Sequence, residues 1–185
     1  ESVFMVQLVL TSDPFRYQET PLVYYYGTYD IEGAVEELRD GHYHGGKDGF
    51  LVFINSMHSR TMAPEGMHSM TIYTVAPNGL AGGWEARRAE MAEKLLVEAE
   101  RFIPGLRRHT KVMVTLTPDD FKRIAHTPDH HSFAGVCPIM GKAGAPYKTP
   151  YRGLWFIGSQ SESGGGVTVQ LLAARKIVTM IGKER

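Results

Sequence analysis

The chain reads as a mixed α and β protein, and three patterns lead there. Short runs rich in Val, Ile, Phe and Tyr recur at 3–10, 22–26, 50–54, 70–75 and 111–116, as strands require. Apolar residues three and four apart recur at 31–38, 84–103 and 167–181, as helices require. The two kinds are interspersed along the chain without an internal repeat, an order that sets helices against a sheet.

Residues 3–10 form a nearly continuous apolar strand, and a loop around Asp13-Pro14 follows. Residues 22–26, Leu-Val-Tyr-Tyr-Tyr, are β-prone and aromatic. Asp30 can cap a helix in which Ile31, Ala34, Val35 and Leu38 fall at i, i+3, i+4 and i+7. The glycines between 41 and 49 end it in a loop. Strands at 50–54 and 70–75 then flank a segment rich in Met, His and Pro. From Trp84 to Ile103 the helical pattern is strong. Met91, Ala92, Leu95, Leu96, Ala99, Phe102 and Ile103 mark its buried face, and Glu90 pairs with Lys94 outside. Pro104-Gly105 stops it.

After a strand at 111–116, Thr117-Pro118-Asp119-Asp120 combines an N-cap, a proline at the first helical position and acids in the first turn. Residues 126–151 lack periodicity and are rich in Gly and Pro, and so long a connection is usually functional or disordered. Leu154 to Ile157 reads as a short apolar strand that ends at Gly158. A polar turn and three glycines, Gly164, Gly165 and Gly166, lead into the last helix. That helix is apolar on several sides, through Val167, Leu171, Ala174, Val178 and Ile181 but also Leu172, Ile177 and Met180. It calls for cover from more than one neighbour.

A length of 185 residues permits a single core. Twenty basic and 20 acidic residues balance to a formal charge of zero, which argues against nucleic acid as a partner. The single cysteine, Cys137, excludes an internal disulfide and fits a reducing, cytoplasmic compartment. With no base partner in view, it is read as inert. No signal peptide, lipidation motif or transmembrane run is visible, which leaves only peripheral attachment to a membrane open.

The chemistry concentrates at the glycine turn. Backbone N–H groups at a helix start lack intrahelical acceptors, and the helix dipole makes that end partly positive. With no side chains at three successive positions, a flat or anionic ligand can approach the main chain. No Gly-x-Gly-x-x-Gly dinucleotide fingerprint occurs in the sequence. The stretch from Gly135 to Gly141-Lys142-Ala143 has one residue too many for a phosphate loop, and Ala stands where Ser or Thr is needed.

Eight histidines invite a metal reading, but no HExxH or Cys-x-x-Cys spacing supports it, so no metal is expected. His42 and His44 are read as solvated loop residues. His130 and His131 sit in the aperiodic segment before the glycine turn. There one of them can serve as proton donor, acceptor or substrate hydrogen-bonding group, with a structural hydrogen bond as the alternative. His58, just past a strand, is read as a packing residue. Met57, Met62, Met67 and Met70 with Tyr24 to Tyr26 are either plain core or the lining of an apolar channel.

The run Gly153-Leu-Trp-Phe-Ile-Gly158-Ser-Gln-Ser-Glu-Ser-Gly164-Gly-Gly-Val167 resembles the closing motif of FAD-dependent oxidoreductases of the phytoene desaturase and retinol saturase type, within the amine oxidase superfamily. Residues 50–59, 117–121, 130–135 and 149–158 are similar to the same family. The resemblance implies a substrate-domain portion at 1–145. It also implies a C-terminal strand and helix at 146–185, completing a Rossmann-type FAD domain. The Gly-x-Gly-x-x-Gly part of that domain would come from a second polypeptide or a missing N-terminal segment. Glu1 in place of a start methionine, and a chain that opens in a strand, fit such a C-terminal portion or split subunit.

By the same resemblance, Gly158 and Ser159 lie near the pyrophosphate and ribityl chain of FAD. Gly165, Gly166 and Val167 present N–H groups to the pyrimidine edge of the flavin, and Gln160 and Gly164 belong to the same turn. Ser159 stands where many such enzymes carry an acid, and Ser161-Glu162-Ser163 replaces Thr-His-Pro, departures that argue against a carotenoid substrate. The implied function is hydride transfer between flavin and the carbon of a small apolar or amphipathic substrate. The alternative is a non-catalytic assembly subunit that keeps the flavoprotein fold.

Overall fold

A computed structural model describes residues 2–126, 144–164 and 166–183. Its strands are β1 (Ser2–Leu10), β2 (Leu22–Tyr26), β3 (Gly49–Phe53), β4 (His68–Ala76) and β5 (Thr110–Leu116). They form one antiparallel sheet in the order β2-β3-β4-β1-β5. Its helices are α1 (Ile31–Arg39), α2 (Asn55–His58), α3 (Trp84–Glu100), α4 (Leu106–His109), α5 (Pro118–Ala125) and α6 (Val167–Lys183). The chain divides into two compact units, Glu1–Phe133 with the whole sheet and Ala134–Arg185 with α6.

Register decides which side chains share a face, because alternate residues of a strand point opposite ways. One row across the sheet runs Val23, Val52, Ile72, Val6 and Thr115. It belongs to the face that holds the core, with Phe4, Leu8, Leu10, Phe50 and Met70. Helix α3 closes that core with Trp84, Met91, Leu95, Leu96 and Ala99, and the Trp84 ring stacks on Phe4 at 5.4 Å. The next row, Tyr24, Leu51, Tyr73, Met5 and Leu116, lies on the opposite face. There Leu51 is buried near α1, while Leu22, Tyr24, Tyr26, Val75, Val112 and Val114 are exposed, so much of this face is apolar and only partly covered.

Local signals place the helices. The Asp30 carboxylate accepts from the Gly33 N–H at 2.9 Å and starts α1. Thr117 and Asp120 form a reciprocal capping box at α5 behind Pro118. Glu90 and Lys94 pair at 3.0 Å on the outer side of α3.

Three expectations need correction. Phe102 is 44% exposed, because α3 ends at Glu100 and the turn that follows carries Phe102 to the rim, where it meets Tyr25. Ile103 remains buried. His44 is no solvated loop residue: its side chain is only 8% exposed. Residues 154–157 are no strand either. Trp155 makes one isolated antiparallel bridge to Lys148, and Leu154 and Ile157 are exposed. A strand needs a neighbour to take up its N–H and C=O groups, and no further strand of the described unit supplies one.

The second unit has a small core of Tyr147, Ala173 and Ile177, with Trp155, Met180 and Ile181 against it. Lys176 sits over the Tyr147 ring at 5.0 Å and pairs with Glu162 at 3.2 Å. Elsewhere α6 is bare. Val167, Leu171, Leu172 and Val178 are each more than 60% exposed, an apolar surface that matches the all-round pattern of the sequence.

Candidate functional site

The turn from Gly158 to Gly164 is held by its own serines. Ser161 is fully buried, and both its Oγ and its N–H donate to the Gly158 carbonyl, at 2.6 and 2.9 Å. The Gly164 N–H donates to the Ser161 carbonyl at 2.9 Å, and the Gln170 side-chain amide donates to the Gly164 carbonyl. The Ala145 N–H donates to the Gln160 carbonyl at 3.0 Å, and the Glu162 N–H donates to the Ala145 carbonyl at 2.8 Å. Gly144 therefore lies against this turn. A Cβ there would stand 2.3 Å from the Ser161 carbonyl oxygen. Gly144→Ala should displace the turn and lower the melting temperature of the second unit, and an unchanged melting curve would contradict this packing.

Gly158, Gly164 and Gly166 have φ of 134°, 75° and 103°, a region that favours glycine. A Cβ on any of the three would meet no described residue within 4 Å. The glycines therefore serve the path of the backbone and leave it open to an approaching group. Gly166 accepts the first α6 bond, from Gln170 N–H at 3.0 Å. The N–H groups of Val167, Thr168 and Val169 are thus the ones without an intrahelical acceptor, at an exposed end. Open glycine positions leading to that partly positive end leave the main chain accessible to a flat or anionic group. Ser159 and Gln160 are half-buried in the same turn. Gly165, His130 and His131 lie outside the described residues.

The methionines and tyrosines do not converge on one channel. Met70 is core, while Met57 and Met67 line an open depression with His58, His68 and Arg60. Tyr24, Tyr25 and Tyr26 line a separate cavity beneath α1. His58 is exposed and meets Phe53 edge-on at 5.9 Å. Among the described residues no three His, Cys, Asp or Glu side chains gather as a metal ion would require. No described helix is long and apolar enough to cross a membrane.

Sequence reasoning missed the surroundings of His44. Its Nδ1 accepts from the Gly46 N–H at 3.0 Å and the Asp48 N–H at 3.4 Å, and its Nε2 lies 3.2 Å from Thr74 Oγ1. Burial pushes the imidazole below its ordinary pKa, against the raising pull of Asp48 and Glu37. The signal in the sequence was Gly45-Gly46, whose positive φ angles turn the loop N–H groups toward the ring.

No family model matches the chain. It is 33% identical over 118 residues to a pyridine nucleotide-disulfide oxidoreductase domain-containing protein 2 of Mus musculus, covering 58% of this chain and 20% of that protein. The Rattus norvegicus counterpart gives the same figures. A 4,4'-diapophytoene desaturase of Staphylococcus aureus is 24% identical over 169 residues, covering 84% of this chain and 33% of that enzyme. The chain spans between a fifth and a third of the length of these curated relatives. The similarity is thus distant, and it is to part of an oxidoreductase.

Proposed function

We propose that the chain is the C-terminal part, or one subunit, of an FAD-dependent oxidoreductase. The observation that carries this reading is the open backbone at Gly158, Gly164 and Gly166, close to the exposed start of α6. Its likeness to the closing motif of desaturase-type flavoproteins, and the distant similarity to an oxidoreductase-domain protein and a desaturase, support it. Bound flavin supplies the hydride chemistry, exchanged with a substrate carbon. The chain's own part is to bind and orient. N–H groups at the α6 start hold the partly negative edge of the ring, and the Ser159 hydroxyl offers one hydrogen bond to the sugar or phosphate side.

The proposed substrate is a small apolar or amphipathic molecule. His130 or His131 holds or moves a proton on the substrate side. Changing each to Ala and measuring turnover at saturating substrate tests that role, and unaltered turnover in both returns them to structure.

The bare surface of α6 supports a partner: a second polypeptide, or a further segment, that carries the Gly-x-Gly-x-x-Gly domain and covers Val167, Leu171, Leu172 and Val178. Co-purification followed by intact mass spectrometry and absorbance checks both claims together. A tight yellow complex containing FAD and a companion nucleotide domain is expected. A monomeric 185-residue chain that holds flavin alone would remove the partner. A colourless complex would favour the assembly subunit.

A further inference from the structure

The link between β4 and α3 carries a reactive pair of residues that needs only water. Asn78-Gly79 lies in a bend of that link, outside helix and strand, and Gly79 is exposed. Asparagine is thermolabile because the main-chain nitrogen of the next residue can attack its side-chain amide. A glycine in that place has no side chain to hinder the approach and the widest choice of backbone angles. A folded chain suppresses the reaction in two ways. It ties up the attacking N–H in a hydrogen bond, or it anchors the side-chain amide.

Neither restraint acts at Asn78. Gly41, Gly49 and Gly79 each follow an Asp or Asn in the sequence. The Gly41 N–H donates to the Leu38 carbonyl at 3.1 Å, and the Gly49 N–H to the Gly46 carbonyl at 3.1 Å. The Gly79 N–H donates to no described residue. Asn78 Oδ1 is shut off from solvent and lacks a donor among the described residues. An acceptor buried in that way gains by turning out to water, so the amide is free to swing toward the Gly79 nitrogen. The other asparagine is Asn55, which opens α2 and is followed by the buried Ser56. Its carbonyl accepts from the Ser59 N–H at 3.2 Å, which fixes the backbone there.

The structure assigns Asn78-Gly79 as a self-modifying site, at which the chain converts its own side-chain amide into a carboxylate. Hydroxide takes the Gly79 N–H proton, and the nitrogen attacks Asn78 Cγ. The new C–N bond closes a succinimide ring, the Cγ–Nδ2 bond breaks, and ammonia leaves with a proton from water. Water then adds to either ring carbonyl and opens it to aspartate or isoaspartate. The sum is amide plus water giving carboxylate plus ammonium, with nothing oxidised or reduced. The carboxylate arises in a cleft that Leu38, Arg39, Gly41 and Pro77 share with Asn78 and Gly79, beside the end of α1. It adds one negative charge to a chain without formal net charge. The isoaspartate form also lengthens the main chain ahead of the buried Trp84. The site lies within the first unit and does not rest on the flavin reading.

Ageing the full chain at about 37 °C, at about pH 8.5 and about pH 6, tests it against an unaged sample digested in parallel. Trypsin places Asn78 in fragment 61–87 and Asn55 in fragment 48–60, and neither fragment contains glutamine. Fragment 61–87 should gain about 1 Da and split into two chromatographic peaks, faster at the higher pH. Fragment 48–60 should keep its mass. The same chain aged in concentrated urea gives the rate without restraint, and the folded chain should react within about tenfold of it. Gly79→Ala should slow the folded reaction at least tenfold. Gly79 has no positive φ and open space around its Cβ, so that variant keeps the fold. A folded rate more than tenfold below the unfolded one would overturn the proposal. So would an unchanged rate in Gly79→Ala, or fragment 48–60 gaining mass as fast as 61–87.

Discussion

Replacing Gly166 with Val is expected to empty the protein of flavin while leaving its sheet intact. Gly166 has φ 103°, so a side chain there costs on the order of 1–3 kcal/mol in local strain. The position is exposed and a Cβ meets no described residue within 4 Å, so the first unit has no reason to unfold. What the new side chain would exclude is a group brought from outside to the start of α6. Strain by itself is controlled by Gly153→Val, which also has positive φ, 76°, and open space around its Cβ. Gel filtration followed by the ratio of flavin to protein absorbance reads the result. Full occupancy in Gly153→Val with loss in Gly166→Val is expected, and Gly165→Val should behave like the latter. Full occupancy in Gly166→Val would be fatal to the proposed flavin position.

How far the sequence revealed this molecule depended on the distance over which each feature is determined. The capping box at Thr117 and Asp120 and the Asp30 cap involve neighbours in sequence, and both were legible. Strand β2 was legible over its full length, because five β-prone residues stand between a loop and a turn. Residues 154–157 look equally β-prone, yet they make a single bridge, since strand pairing depends on a partner that composition does not reveal. His44 was misread for a similar reason. Its burial comes from Thr74, 30 residues away, and from two loop N–H groups. The helical spacing of Ile31, Ala34, Val35 and Leu38 was plain, but the space left beneath them was not. At the glycine turn, the sequence showed where side chains are missing, and the backbone angles showed that nothing of the described chain fills the gap.

Asp120→Ala should be the most destabilising single change to the polar framework of the first unit. The carboxylate is 7% exposed and binds three partners at once. Arg88 donates to its Oδ2 at 2.6 Å and Arg123 to its Oδ1 at 2.6 Å. The Thr117 N–H and Oγ donate to Oδ2 at 2.9 and 3.0 Å. Arg88 also donates to the Thr115 carbonyl at 2.8 Å, so the network ties α3, β5 and α5 together. Loss of the Asp120 half of the capping box, which leaves the Thr117 N–H without its acceptor, costs about 1 kcal/mol and loss of charged hydrogen bonds about 2 kcal/mol more. The melting midpoint should fall by about 10 °C.

Burial pushes the Asp120 carboxyl up, but the hydrogen bonds from Arg88, Thr117 and Arg123 outweigh it and hold the group well below the usual carboxylate range. A depressed folded pKa contributes stability that is complete above the unfolded value, about 4. That contribution is lost as the pH falls below 4 toward the folded value. The wild type should therefore lose stability more steeply than Asp120→Ala on acidification below about pH 4, and the two should run parallel above about pH 5. Denaturant midpoints followed from neutral pH to about pH 3 read both effects. A constant gap between the two proteins across that range would show that Asp120 acts through packing alone and not through its charge.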